Sequence, residues 1–297
     1  MATTKPPAAA PIPSDGDELA GLDALSVVRQ ETESLPSRFR RKVLPPLVAI
    51  AVALGFWELV VLLELKPTYA VPPPSEVWHT LTEQWSEGNV QAAVTNSLRR
   101  GVVGFLASVV IGTVIGVIVA RVRPIRTAIK PILTGLQIMP SVAWVPAAII
   151  WFGLSDATYY AVVLLGAVPS IAIGLISGVD QIPPLFHRVG RVLGASRLTA
   201  VRHVLMPAAF PGYFAGLKQG WAFSWRSLMA AELIAISPEL GLGLGGYLDI
   251  GRELNDMSWV LSGIFLILVV GIAVELIVFA PLERRMLRNR GLLVETR

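Results

Sequence analysis

The chain alternates between long apolar runs and short polar connections. Six runs, 44–65, 98–120, 129–152, 157–179, 208–236 and 258–281, are each long enough to cross a bilayer, which takes about 20 predominantly apolar residues. The third run holds Pro140 and Pro146 and the fourth holds Pro169, so kinked helices are expected there, either lining a pathway or packing irregularly. Between the first two runs, Val71-Pro72-Pro73-Pro74 reads as extended, with Ser75 capping a helix that begins near Glu76. Trp78 and Trp85 lie seven residues apart on one face of that helix, as anchors at a membrane interface or as a contact for a partner protein. Residues 1–37 are rich in Pro, Ala, Ser and acids and read as a disordered tail without a cleavable signal peptide. The expected organisation is a tail over 1–37, a membrane domain over 38–290 and a short tail over 291–297.

Charge placement orients the runs. Arg38, Arg40, Arg41 and Lys42 precede the first. Arg121, Arg123, Arg126 and Lys130 follow the second. Arg188, Arg191, Arg197 and Arg202 follow the fourth, and Arg284, Arg285, Arg288 and Arg290 follow the sixth. The opposite connections are assigned only Lys66, Arg99, Arg100 and Arg252. The excess of Lys and Arg on one side predicts cytoplasmic termini, and places 66–97 and 237–257 on the outer side.

Composition narrows the class. Apolar residues make up 54% of the 297 and charged residues only 15%, against roughly 25% charged in an average globular chain, so a soluble domain is excluded. There are no cysteines, which removes disulfides and thiolate metal sites. His79, His187 and His203 have no metal-ligand spacing. Gly241-Leu242-Gly243-Leu244-Gly245-Gly246 lacks the lysine of a phosphate-binding loop and reads as a flexible turn. No nucleophile or metal constellation is visible, so the chain is expected not to be an enzyme, and nothing points to nucleic acid. A secondary transporter would more often show inverted repeats and several mid-membrane acids, and neither pattern stands out.

The segment 184–207 carries four arginines, two histidines and no acid. It reads as a short amphipathic helix, a turn at Gly194-Ala195-Ser196, and a second short helix closed by Pro207. A basic helix pair on the cytoplasmic side of a membrane protein needs a partner in water. Its spacing resembles the cytoplasmic loop of ATP-binding cassette importer permeases: Glu-Ala-Ala, three residues, Gly, nine residues, Ile, any residue, Leu-Pro. Here Gly194, Val204 and Met206-Pro207 take the later positions, while Arg188-Val189-Gly190 stand in place of Glu-Ala-Ala. Three further stretches are similar to the nitrate, sulfonate, taurine and bicarbonate branch of that family. They are the proline run before Ser75-Glu76-Val77-Trp78, Met139-Pro140-Ser141-Val142-Ala143-Trp144-Val145-Pro146 with Ile150-Trp151-Phe152-Gly153, and Trp225-Arg226-Ser227-Leu228-Met229-Ala230-Ala231-Glu232-Leu233-Ile234.

The resemblance implies an all-α membrane protein of the type I importer permease fold. It implies six transmembrane helices, a cytoplasmic coupling loop over 184–207, and a multi-pass place in a bacterial inner membrane. It implies a homodimer, a cytoplasmic ATPase partner that carries the ATP and Mg, and an extracytoplasmic solute-binding protein. This chain has no Walker A sequence and is expected to bind no cofactor itself. The solute is expected to be a small anion, with a pyrimidine-type vitamin precursor as the alternative within the branch. Arg191, Gly194, Ala195, Ser196, Arg197 and Pro207 are the expected coupling residues.

Gln137, Ser141, Trp144, Trp225, Arg226 and Glu232 are candidates for the translocation pathway. Arg226 is the most suggestive of these. An ionisable residue deep in a membrane helix costs roughly 2.5–3.5 kcal/mol on insertion scales and faces the protein interior or water. Either it pairs with Glu232, Glu275 or Glu58, or it attracts an oxyanion through bidentate hydrogen bonds. Gly212, Gly216 and Gly220 recur at steps of four, for close helix packing within one subunit or for a dimer seam, and Gly112 and Gly116 repeat the pattern.

Overall fold

The computed structural model describes residues 44–183, 185, 186, 192, 196, 199 and 201–290. The chain divides into two units, Met1–Trp57 and Glu58–Arg297. Of the first unit, 44–57 are described. They form most of helix α1 (Leu44–Leu62), which has no buried residue.

In the second unit every regular element among the described residues is helical. These are α2 (Pro74–Ser86), α3 (Asn89–Arg121), α4 (Arg123–Ile138), α5 (Val145–Phe152), α6 (Asp156–Asp180), α7 (Met206–Ile234), α8 (Leu244–Glu253), α9 (Met257–Val274) and α10 (Ala280–Arg288). A π-helical turn at Glu275–Phe279 joins α9 to α10. Among the described residues four helical stretches are long and apolar enough to cross a membrane: Leu44–Leu62, Asn89–Arg121, Asp156–Asp180 and Met257–Arg288. The number rises to five if α4 and the Ser141–Phe152 stretch count as one broken span. The expected fifth span, α7, is 29 residues long but is not in that set. It carries Lys218, Gln219, Ser224, Arg226, Ser227 and Glu232, which interrupt its apolar run.

The structure changes several expected boundaries. Helix α2 starts at Pro74 with extended Pro73 at its N-cap, and no side chain caps it, so Ser75 sits inside the helix rather than before it. Pro supplies the fixed φ that a first helical residue needs. The third apolar run is two helices bent by 98°, not one kinked span. Met139 and Pro140 are extended at the break, because the residue before a proline avoids the α region. Pro146 opens α5 rather than interrupting it. Pro169 lies within an unbroken α6. Helix α3 begins nine residues before the expected run, at Asn89, after Gly88 takes a left-handed φ of 86°. Arg99 and Arg100 therefore belong to a helix rather than to a connection.

Helices α6 and α7 make the most extensive packing among the described residues, and α3 packs against α6 next to α7. The α6–α7 contact is backbone on backbone. A Cβ on Gly174 would lie 2.3 Å from the Gly216 Cα, and one on Gly178 would lie 2.5 Å from the Ala209 carbonyl oxygen. Gly212 meets Gly178 in the same way, and Gly220 meets the Ile171 side chain. On α3, Gly112 and Gly116 admit Ile171 and Leu175 of α6. Both glycine series thus pack helices within one subunit. Without a hydrophobic drive between helices in lipid, such close approach is what van der Waals association requires. An aromatic cluster of Phe105, Trp221, Trp225 and Phe279 fills the space between α3, α7 and the π-helical turn, with Trp221 stacked on Trp225 at 6.0 Å between centroids.

This packing yields a paired prediction. Gly216→Leu should lower the thermal stability of the detergent-solubilised protein by about 1–3 kcal/mol or more, because the facing backbone cannot move aside. Gly135, on α4 with nothing within 4 Å of its Cβ position, should accept Ala with equal or higher stability, by up to about 1 kcal/mol from helix propensity.

Candidate functional site

Two polar centres on α7 include expected pathway candidates, and the first holds a buried ion pair made by a different arginine from the one expected. The first surrounds Glu232 near the C-terminal end of α7. Its partner is Arg100 of α3, which is 0% exposed, while Glu232 is 2% exposed. Arg100 Nη1 donates to Glu232 Oε1 at 3.1 Å, and Arg100 Nε donates to Asp156 Oδ1 at 2.9 Å, at the start of α6. Nη2 donates to the Leu240 carbonyl. The guanidinium lies 4.7 Å from the centroid of the Tyr159 ring, whose hydroxyl donates to the Ala235 carbonyl at 2.7 Å. Arg99 approaches the same Asp156 at 4.0 Å from the surface.

The second oxygen of Glu232 is satisfied from the glycine-rich segment. Ser97 Oγ donates to Glu232 Oε2 at 2.6 Å and accepts from the Leu244 amide at 2.8 Å, while the Gly245 amide donates to Oε2 at 3.2 Å. Gly243 and Gly245 leave no room for a side chain, since a Cβ on either would come within 2.6 Å of Glu232 atoms. Segment 241–246, expected to be a flexible turn, is instead a fitted collar whose helix, α8, presents its N-terminal amides to a buried carboxylate. Asn96 pins it further by donating to the Leu242 carbonyl at 2.8 Å. In the adjoining α8, which lies outside the apolar spans, burial pushes the Tyr247 hydroxyl above its ordinary range, against the opposing hydrogen bond with Ser262.

Arg226 is elsewhere. It is exposed, its Nε donates to the Ala222 carbonyl one turn back, and its guanidinium sits 4.8 Å over the Phe223 ring. No carboxylate reaches it among the described residues. Of the acids expected to pair with it, Glu232 belongs to Arg100, and Glu275 belongs to Lys218 at 2.6 Å, with Glu283 joining that cation at 3.0 Å. The expectation of a structural ion pair at Arg226 is therefore corrected: the buried arginine is Arg100, an assignment missed because it was read as a loop charge. A signal was present. Ala93, Ser97, Gly101, Gly104, Ser108, Gly112 and Gly116 form a buried stripe at steps of three and four, which runs past Arg100 and into the supposed loop.

The second polar centre joins other candidates. Ser227 Oγ donates to Ser141 Oγ at 2.7 Å, at the break after α4, with Gly166 of α6 beneath both. Gln137 Nε2 donates to Ser170 Oγ at 3.2 Å. Trp144 is half-buried beside them in sequence. Trp225 is buried in the aromatic cluster and donates to the Ile267 carbonyl at 3.3 Å, so it packs helices. Of the expected coupling residues, Arg191, Gly194, Ala195 and Arg197 lie outside the described residues. Ser196 Oγ accepts from the Thr199 amide at 3.2 Å, and the Pro207 carbonyl accepts from Arg290. Trp78 and Trp85 are both exposed on α2, at 63% and 57%, while Val77 and Gln84 face inward.

Long apolar helices, a broken span and a glycine-packed centre are the architecture of a multi-pass helical membrane protein. Residues 112–288 match the family of binding-protein-dependent transport system inner membrane components. The chain is 30% identical to the taurine transport system permease protein TauC of Escherichia coli, over 83% of this chain and 90% of that one. It is 28% identical to the nitrate import permease protein NrtB of Leptolyngbya laminosa, over 80% and 86%. It is 31% identical to the bicarbonate transport system permease protein CmpB of Synechococcus elongatus, over 65% and 68%. The chain belongs to this family of importer permeases, in the branch that holds the taurine, nitrate, sulfonate and bicarbonate permeases.

The first centre is testable as a unit. Arg100→Met leaves Glu232 without its cation and should destabilise the solubilised protein by about 3–5 kcal/mol. Arg100→Met combined with Glu232→Gln should recover a large part of that loss. Thermal unfolding of the four proteins in the cycle measures the coupling. Additive losses would mean that the pair contributes nothing jointly.

Proposed function

We propose that this chain is the membrane subunit of an ATP-driven importer for a small oxyanion, of the chemical class represented by taurine, nitrate, aliphatic sulfonates and bicarbonate. The observation that carries the reading is its similarity, at nearly equal identity, to permeases named for these different solutes. The solutes share a compact, negatively charged group of oxygens, and that chemistry is what the chain is proposed to pass.

In this reading α7 crosses the membrane with the apolar helices, giving six crossings. Two copies face each other across a two-fold axis and enclose the pathway. The 184–207 loop is cytoplasmic and docks an ATPase subunit, with Arg191, Gly194, Ala195, Ser196 and Arg197 at the contact and Pro207 ending it. A solute-binding protein delivers the anion to the opposite side, where α2, α8 and the collar around Glu232 lie. ATP binding draws the coupling loops together and opens the pathway outward, and hydrolysis returns it. The basic excess at 121–130, 188–202 and 284–290 supports this orientation.

Two measurements test the reading. Because the chain has no cysteine, Ser196→Cys should resist a membrane-impermeant thiol reagent on intact cells, while Ser86→Cys and Ser237→Cys should be labelled. Labelling of position 196 from outside overturns the orientation and the ATPase contact together. Gly194→Trp should abolish ATP-dependent uptake of radiolabelled taurine, nitrate or bicarbonate while leaving the amount of membrane-inserted protein unchanged. Uptake at the unmodified rate would remove the coupling assignment.

A further inference from the structure

The exposed faces of the helices are not chemically alike. On α3 the exposed stripe is Val103, Leu106, Val110, Val114 and Val117, and on α9 it is Ile264, Leu268 and Ile272. These are large, apolar and suited to lipid. The exposed stripe of α7 is Ala215, Gln219, Ala222 and Arg226, at steps of four, three and four. This middle stretch holds no large apolar side chain and ends in a full charge, while the exposed apolar residues of α7, Met206, Phe210 and Ile234, lie towards its two ends. A helix of the usual rise places Arg226 about 12 Å from the C-terminal end of α7 and about 30 Å from its start. Lipid around that guanidinium would be costly, and snorkelling from this depth would carry it past the buried Arg100–Glu232 centre. The other charges carried by α7 are neutralised within the subunit, Lys218 by Glu275 and Glu283 and Glu232 by Arg100. Among the described residues Arg226 meets only its own helix, through the Ala222 carbonyl and the Phe223 ring. Its neighbour Ser227 is bonded to Ser141 at the break after α4, so the chain beside it is helix-broken and polar on both sides.

We infer that the α7 stripe from Ala215 to Arg226 lines the aqueous pathway, and that Arg226 is the point at which a passing oxyanion is held. The inference rests on the importer reading and adds the site and its recognition chemistry. A guanidinium offers two parallel N–H donors that match two oxygens of a carboxylate, sulfonate, nitrate or bicarbonate group. With no competing carboxylate among the described residues, these donors are available to the solute. The remaining contacts are weak and local. Because Arg226 is exposed, water screens the pair and an anion held here is released readily, as a transported solute must be. The small Ala215 and Ala222 leave room for it, and Gln219 supplies an amide about two turns closer to the basic end.

The experiment uses thiol chemistry on the assembled transporter in membranes, with no need to know the natural solute. Ala222→Cys and, as a lipid-facing reference, Leu268→Cys are each reacted with a negatively charged and a positively charged methanethiosulfonate of similar size. Ala222→Cys should react with both reagents and Leu268→Cys with neither. The ratio of anionic to cationic rates at position 222 should fall about tenfold when Arg226→Gln is added, for a charge a few ångströms from the thiol in a partly screened site. The ratio should be kept in Arg226→Lys. Millimolar taurine, nitrate or bicarbonate should slow the anionic reagent in the parent and not in the Arg226→Gln protein. No reaction at position 222 would place the stripe in a sealed seam and overturn the inference. Reaction without charge preference would overturn the anion site alone. The importer reading stands or falls separately, on ATP-dependent uptake and on the side from which position 196 is labelled.

Discussion

The bundle depends on the near-contact of two backbones. Gly174 and Gly178 on α6 and Gly212 and Gly216 on α7 bring the helices closer than any side chain would allow. Everything else in the second unit is arranged around that pair. Ile171 of α6 is wedged among Gly112 and Gly220, so α3 is positioned by the same helix that holds α7. In water such a core would be assembled by expelling solvent from apolar surface. Here the surroundings are as apolar as the core, and proximity itself supplies the attraction. This is why α6, the most deeply buried of the apolar helices, keeps glycine at positions where a soluble helix would favour alanine.

Close packing alone does not fix rotation or register, because glycine faces are nearly featureless. The buried charges add that specificity. Arg100 has three acceptors on three different elements: Asp156 on α6, Glu232 on α7 and the Leu240 carbonyl before α8. A rotation of any one helix would leave a full charge without a partner in a medium that cannot hydrate it. Lys218 does the same at the other end of the bundle, tying α7 to Glu275 and Glu283 on the chain that follows α9. Van der Waals contact provides the attraction and charge pairing selects one arrangement.

Much of the architecture was legible because lipid demands long apolar helices, and these stand out as uninterrupted runs. The family was legible through local wording, at Met139–Gly153 and Trp225–Ile234 above all. The glycine repeat on α7 was legible as a packing motif, though its partner helix was not, since a stripe of small residues does not name what it faces. The bend after α4 was only half legible. Proline announces a disturbance, and its angle depends on whether neighbours continue the direction or meet the freed backbone from another side. The pairing of charges was misread, for a physical reason. Position along a helix is visible in the sequence, whereas the direction of a side chain depends on where the helix begins. Once α3 starts at Asn89, Arg100 turns inward beside Ser97 and Gly104. Once Glu232 is engaged, Arg226, six residues earlier and about 240° around the helix at 3.6 residues per turn, points outward.

The collar around Glu232 has a mechanical meaning. Its glycines lie against the carboxylate without slack, and its Leu240 carbonyl is held by the same arginine that holds Glu232. The collar is therefore fastened to α7 itself, on the same uninterrupted helix that carries Arg226 about 9 Å away along its axis.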